Sequence, residues 1–86
     1  MEIEYSSHFK NSYKKLTRGI QIKAEVAELL FRDDPFNPKI KTHKLKGKLK
    51  DFYSFSIDFK FRIVFKFVSG RKKVVFLDVG DHKIYL

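Results

Sequence analysis

Apolar positions along this chain keep one period before Pro35 and another after it. In the first part they recur three and four residues apart. Phe9, Tyr13, Leu16 and Ile20 form one such series, with Lys10, Lys14 and Lys15 among the polar positions, which predicts an amphipathic helix. Ser6 and Ser7 offer hydroxyls that cap a helix start, and residues 3–5 ahead of them read as a short strand. Gly19 is expected to break or bend the helix. A second helix then carries Ile22, Val26, Leu29 and Leu30 on one face, with Ala24 and Ala27 favouring helical backbone. It must stop by Asp34, because the residue before a proline avoids helical geometry.

After the Asn37-Pro38 turn the period becomes two. Tyr53, Phe55, Ile57 and Phe59 alternate with Ser54, Ser56 and Asp58. Phe61, Ile63, Phe65 and Phe67 then alternate with Arg62, Val64 and Lys66. Alternation sends odd and even positions to opposite faces of a sheet, so both runs predict half-buried antiparallel strands. Ser69-Gly70 turns the chain into residues 74–79, apolar on both faces and hence a more central strand. The expected fold is α+β: an N-terminal helical hairpin packed on one face of a three- to four-stranded antiparallel β-sheet, in one domain over residues 1–86. The odd-numbered aromatic face meets the helices. The opposite face, with Ser54, Ser56, Asp58 and Arg62, is expected to stay open.

Eighty-six residues make a modest core, and with no Cys neither a disulfide nor a thiolate zinc site braces it. Ten Phe and four Tyr supply burial in large units instead, at roughly 2 kcal/mol for each one buried. No apolar run approaches the roughly 18 residues of a membrane span. The opening Met-Glu-Ile-Glu-Tyr is unlike a secretory signal, which favours the cytoplasm. Charge changes the picture most. The net charge is +9, and six lysines without an acid lie between Lys39 and Lys50, two-thirds of that total. Such a balance suits a polyanionic partner: RNA, DNA, a membrane surface or an acidic protein. Lys41, Lys44, Lys46, Lys48 and Lys50 are candidate RNA contacts, since clustered lysines gather anions that binding RNA would release. A solvated surface that merely maintains solubility is the plainer alternative.

His43, inside the lysine run, and His82, near the C-terminus, are candidate acid–base groups, because imidazole changes charge near neutrality. Cationic neighbours disfavour a second proton on His43, which leaves a neutral ring able to act as a base or to contact phosphate. Each has an ordinary alternative, an exposed loop or tail histidine. Arg62 interrupts an apolar strand between Phe61 and Ile63. A guanidinium fork on a rigid strand suits a phosphate, and an arginine on a solvated face, paired with Asp58 or Asp78, reads equally well. His8, His43 and His82 show no ligand spacing, so neither a metal nor a cofactor is expected. No P-loop, Gly-x-Ser-x-Gly, Rossmann glycine or paired-carboxylate signature occurs either.

Four fragments, taken in order, carry a resemblance: Thr42-His43-Lys44-Leu45-Lys46-Gly47-Lys48-Leu49, Tyr53-Ser54-Phe55-Ser56-Ile57, Phe61-Arg62-Ile63-Val64-Phe65 and Val79-Gly80-Asp81-His82-Lys83-Ile84-Tyr85. The series is similar to that of RelE/ParE-type toxins of type II toxin–antitoxin systems, particularly the YafQ-like ones. This resemblance implies a metal-independent, ribosome-dependent mRNA endoribonuclease that works in the ribosomal A site, where a ribose 2′-hydroxyl attacks the adjacent phosphate. It implies that His82 is the C-terminal catalytic histidine and His43 the one that opens the H-x-L-x-G motif. Arg62 becomes the strand arginine on the scissile phosphate, and Tyr85 an aromatic that stacks on a base. Lys60 and Asp58, beside Arg62, are weaker candidates. Ser56 and Lys60 stand where YafQ-like toxins place a further His and an Asp, and Asp81 replaces a small Thr. A cognate antitoxin is the implied partner, with the toxin monomeric or held in a toxin–antitoxin hetero-oligomer, away from any membrane. A ParE-like inhibitor of DNA gyrase and a non-catalytic RNA-binding module are the alternatives.

Overall fold

The computed structural model describes the backbone of residues 1–85 and the side chains of residues 1–84. Strand β1 (Glu2–Tyr5) comes first, and helices α1 (Ser7–Lys14) and α2 (Arg18–Asp33) follow it. Then come β2 (His43–Lys44), β3 (Tyr53–Ser56), β4 (Arg62–Val68) and β5 (Lys73–Gly80). Short 3-10 turns occupy Pro38–Ile40, Gly47–Leu49 and His82–Tyr85. The fold is α+β as the alternation predicts, but the sheet has five strands in the order β1-β5-β4-β3-β2 and is mixed. β1 runs parallel to β5, because the helical hairpin carries the chain across one face before the remaining strands are laid down. Lys73 Nζ lies 3.2 Å from Glu4 and 4.0 Å from Glu2, an ion-pair link across those two strands. β2, at the other edge, is too short for any periodicity to register.

Caps decide where the helices begin. The Ser6 hydroxyl accepts from the Phe9 amide at 3.0 Å, and the Thr17 hydroxyl accepts from the Ile20 amide at 3.3 Å. The break between helices therefore falls before Thr17 and not at Gly19, which sits inside the first turn of α2. A side-chain cap of this kind is worth about 1 kcal/mol, comparable to the cost of a glycine in a helix. The buried face of α2 also differs from the expected one. Ala24, Ala27 and Phe31 face the sheet, while Ile22, Val26 and Leu29 are 49, 55 and 68% exposed. Small residues let the helix approach closely, and the space they leave is filled by Phe31.

Phe31 is the centre of the core. Its ring stacks on Phe55 at 4.7 Å between centroids and meets the edges of Phe65 and Phe76 at 4.8 and 5.5 Å. All four rings are fully buried. Phe55 and Phe65 are odd-numbered, as the alternation requires, but Phe76 is even. Odd and even meet because Phe65 pairs with Phe76, and a β-bulge then changes the register: Val64 pairs with Asp78, so Leu77 is the extra residue on β5. The bulge returns Val79 to the helix side of the sheet, where it is buried with Ile63. The freed Leu77 carbonyl accepts from the Ser6 hydroxyl at 3.2 Å, and Asp78 pairs with His8 at 3.2 Å, so the start of α1 is tied to the bulge. The other face is less open than the alternation predicts. Ser54 and Val64 on it are buried, while Arg62 and Lys66 on the same strand as Val64 are half-buried.

Phe59 departs furthest from its expected place. β3 ends at Ser56, and Phe59 is 92% exposed. Asp58 Oδ1 accepts from the amides of Lys60 and Phe61 at 2.8 and 2.7 Å, and the Phe61 carbonyl accepts from the Ile57 and Asp58 amides at 2.9 and 3.4 Å. That Asx turn ends the alternation before Phe59 can join the core.

Candidate active site

Pairing across the sheet puts the candidate residues into rows. His43 pairs with Ser54, Ser54 with Val64, and Val64 with Asp78; in the next row Ser56 pairs with Arg62 and Arg62 with Gly80. Directly paired residues point to the same face, so His43, Ser56 and Arg62 share the face away from the helices. Two strand spacings, about 10 Å, separate β2 from β4 in the pairing direction. On the other side of β4, β5 ends at Gly80, and two residues later the chain enters the 3-10 turn that begins with His82. Arg62 thus lies between the strand that bears His43 and the turn that bears His82.

Gly80 lets that turn fold back. A Cβ at this position would meet Ile84 Cγ2 at 2.6 Å, so only a residue without a side chain lets Ile84 settle there without displacement. Asp81, which stands in place of the expected Thr, caps the turn. Its Oδ1 accepts from the Lys83 amide at 3.0 Å and its carbonyl from the Ile84 amide at 3.1 Å. His82 itself is exposed.

His43 is exposed, and its Nδ1 lies 3.1 Å from the Lys41 carbonyl oxygen. A carbonyl only accepts, so in the neutral ring Nδ1 carries the proton and Nε2 keeps its lone pair outward. Lys41 adopts the left-handed conformation, with φ 53°, at the end of the Pro38–Ile40 turn. Arg62 is half-buried and donates from Nη1 to the Ser56 hydroxyl at 3.1 Å. Neither carboxylate expected beside it is its partner, since Asp78 pairs with His8 and Asp58 with Lys23 at 3.6 Å. Among the described residues, most of the guanidinium's five donors are left for another acceptor.

Arg62 opens onto a cavity of about 320 Å³, lined also by Lys39, Lys41, Ser56, Asp58 and Phe59. Asp58 is engaged through both oxygens. Burial opposes its ionisation, but the Phe61 and Lys60 amides and the Lys23 ammonium outweigh that and hold its carboxyl below the usual carboxylate range. Lys60 contributes its amide to the same turn, and its ammonium lies 5.6 Å from the Phe61 ring centroid. Of the lysine run, Lys39 and Lys41 line the Arg62 cavity. Lys44 on β2 and Lys46, Lys48 and Lys50 on the following loop are exposed outside it. The side chain of Tyr85 lies outside the described residues. Among the described residues no cluster of three or more His, Asp or Glu side chains could hold a metal, and no helix is long and apolar enough to cross a membrane.

A family match decides what this geometry belongs to. The model of the family described as "Bacterial toxin of type II toxin-antitoxin system, YafQ" matches residues 1–85. The chain belongs to the YafQ toxin family. Solved structures agree on the fold. YafQ from E. coli strain BL21(DE3) is similar with a TM-score of 0.80 and 19% identity, over 99% of this chain and 97% of that one. A YoeB/ParE toxin from Agrobacterium tumefaciens gives 0.79 and 16%, over 95% and 99%. A chain of the archaeal RelE–RelB complex from Pyrococcus horikoshii OT3 gives 0.73 and 13%, over 93% and 92%. No curated protein matches the sequence significantly.

Three residues of this YafQ-family toxin escape a reading of the sequence. Lys39 shares the Arg62 cavity although it precedes the motif that begins at Thr42, Gly80 makes room for the last turn, and Phe59 stands on the cavity wall. For Phe59 the signal was present: an Asp followed by residues whose amides it can bind marks a turn. For Gly80 nothing short of the fold shows what a side chain would strike.

Proposed function

We propose that this YafQ-family toxin is a ribosome-dependent mRNA endoribonuclease in which His43, Arg62 and His82 share the chemistry. One observation carries the reading: Arg62 lies between the strand of His43 and the turn of His82, beside a cationic cavity. Cleavage by the neighbouring 2′-hydroxyl needs groups in that relation. A base removes the hydroxyl proton as the 2′-oxygen bonds to phosphorus, a cation holds the charge gathering on the phosphoryl oxygens, and an acid protonates the departing 5′-oxygen. The products are a 2′,3′-cyclic phosphate and a free 5′-hydroxyl. His43 is assigned as base, because the Lys41 carbonyl holds its Nδ1 proton and presents the Nε2 lone pair. His82, on the other side of Arg62, is assigned as acid. Arg62 takes the phosphate, with Lys41 beside it and Lys44, Lys46, Lys48 and Lys50 along the RNA backbone. Asp58 and Lys60 shape the turn that walls the cavity.

A cognate antitoxin is the proposed protein partner, in the cytoplasm. The +9 charge suits an acidic segment, and the exposed Ile22, Val26 and Leu29 on α2 offer it an apolar anchor. The test is mapping of mRNA 5′ ends after brief induction, with translation running and with it blocked. New ends that need active ribosomes and disappear in His82→Ala are expected. Intact mRNA with a DNA-damage response would instead identify a gyrase inhibitor.

A further inference from the structure

Phe59 is the most exposed large apolar side chain among the described residues, and it stands beside cations. Its ring is not on a slack loop. Asp58 binds the two amides that follow Phe59, the Phe61 carbonyl closes the turn from the other side, and Lys23 ties Asp58 to α2. A rigid turn therefore holds an aromatic face out in water, on the wall of a 320 Å³ cavity whose other walls include Lys39, Lys41 and Arg62. Cations that take phosphate, with a flat ring next to them that needs cover, match the repeating unit of a single-stranded nucleic acid. A protein surface would call for a contiguous apolar patch, and the exposed stripe of that kind lies on α2.

We infer that Phe59 is a base-stacking platform: an unpaired RNA base lies on its ring while the adjoining phosphate sits among Lys39, Lys41 and Arg62. The inference rests on the RNA-cleaving reading above and adds to it a residue that grips the base rather than the backbone. Stacking is tolerant of base identity, because every base has a π-face. Phe59 thus serves affinity and placement, and proton transfer stays with the histidines.

The chain contains no Trp, so Phe59→Trp introduces a single fluorescent reporter that keeps an aromatic face. The probe is a short oligoribonucleotide, 2′-O-methylated throughout so that it cannot be cleaved, at low salt. Fluorescence of the introduced indole should be quenched on titration. By anisotropy, Phe59→Ala and Phe59→Leu should each weaken binding about ten-fold, while Phe59→Trp binds like the parent. Neither loss should alter the slope of affinity against salt, whereas Lys41→Ala should lower that slope by about one. An oligomer with abasic riboses should bind the parent and Phe59→Ala alike. If Phe59→Ala binds as tightly as the parent while Lys41→Ala still weakens binding, the stacking role is wrong and the RNA reading survives. If the indole of Phe59→Trp responds to the antitoxin and not to RNA, Phe59 belongs to a protein interface and the inference is overturned. If neither the oligomer nor mRNA-programmed ribosomes bind, both readings fall together.

Discussion

Phe55 and Phe59 lie four residues apart in one alternating run, yet Phe55 is fully buried and Phe59 is 92% exposed. The difference belongs to the regions they occupy. Under the helices, Phe55 is one of four rings packed on one another, and position there follows from apolar area and fit. At the Arg62 end of the sheet, positions are set by polar contacts instead. Asp58 organises its turn, the Lys41 carbonyl orients His43, and Ser56 steadies Arg62. The first region makes the molecule stable. The second holds groups where burial would not put them, and such a region can be altered without unfolding the protein.

Substitutions should separate the two. The largest effect is expected for Phe31→Ala, which empties the centre of the core and should cost about 3–5 kcal/mol in denaturant unfolding. A loss below about 1 kcal/mol would mean that the core is not organised around this ring. Arg62→Ala should lower RNA cleavage at least about 100-fold, roughly 2.7 kcal/mol in the barrier, while the unfolding midpoint moves little. A large stability loss with cleavage retained would reverse the comparison. Asp58→Asn should cost about 1–2 kcal/mol, because a charged acceptor of two amides becomes a neutral one. The folded carboxyl of Asp58 lies below its unfolded value, so its contribution is complete above about pH 4 and fades as pH falls through the folded value. The gap between unfolding free energies at pH 7 and pH 3 should therefore be narrower in the Asn variant than in the parent. Val26→Asp should change stability by less than about 0.5 kcal/mol and weaken antitoxin capture, measured by co-purification.

Much of the first region was legible in the sequence because burial has a period. Phe55, Ile63 and Phe65 show it plainly, and Ser6 announced the start of α1. The errors there came from details that no period encodes. Two alanines outweighed Ile22, Val26 and Leu29 for the inward face of α2, and a single bulge residue, Leu77, exchanged the faces of β5. In the second region, residue chemistry and the family resemblance singled out His43, Arg62 and His82 as candidates, yet periodicity could say nothing of their relation. That relation depends on register across three strands, on β2, which is two residues long, and on the space left at Gly80.

The parallel pairing of β1 with β5 carries a consequence for how the chain is made. Glu2 pairs with Lys73, so β1 must wait for β5 before it has a partner. Contacts of such long sequence separation form late and slowly. Everything from β1 through β5 must be available before the sheet can close, and β5 is also the strand that delivers the His82 turn. A chain halted before β5 therefore lacks at once the partner of β1 and the turn that bears His82, so closure of the sheet and completion of the candidate site arrive together.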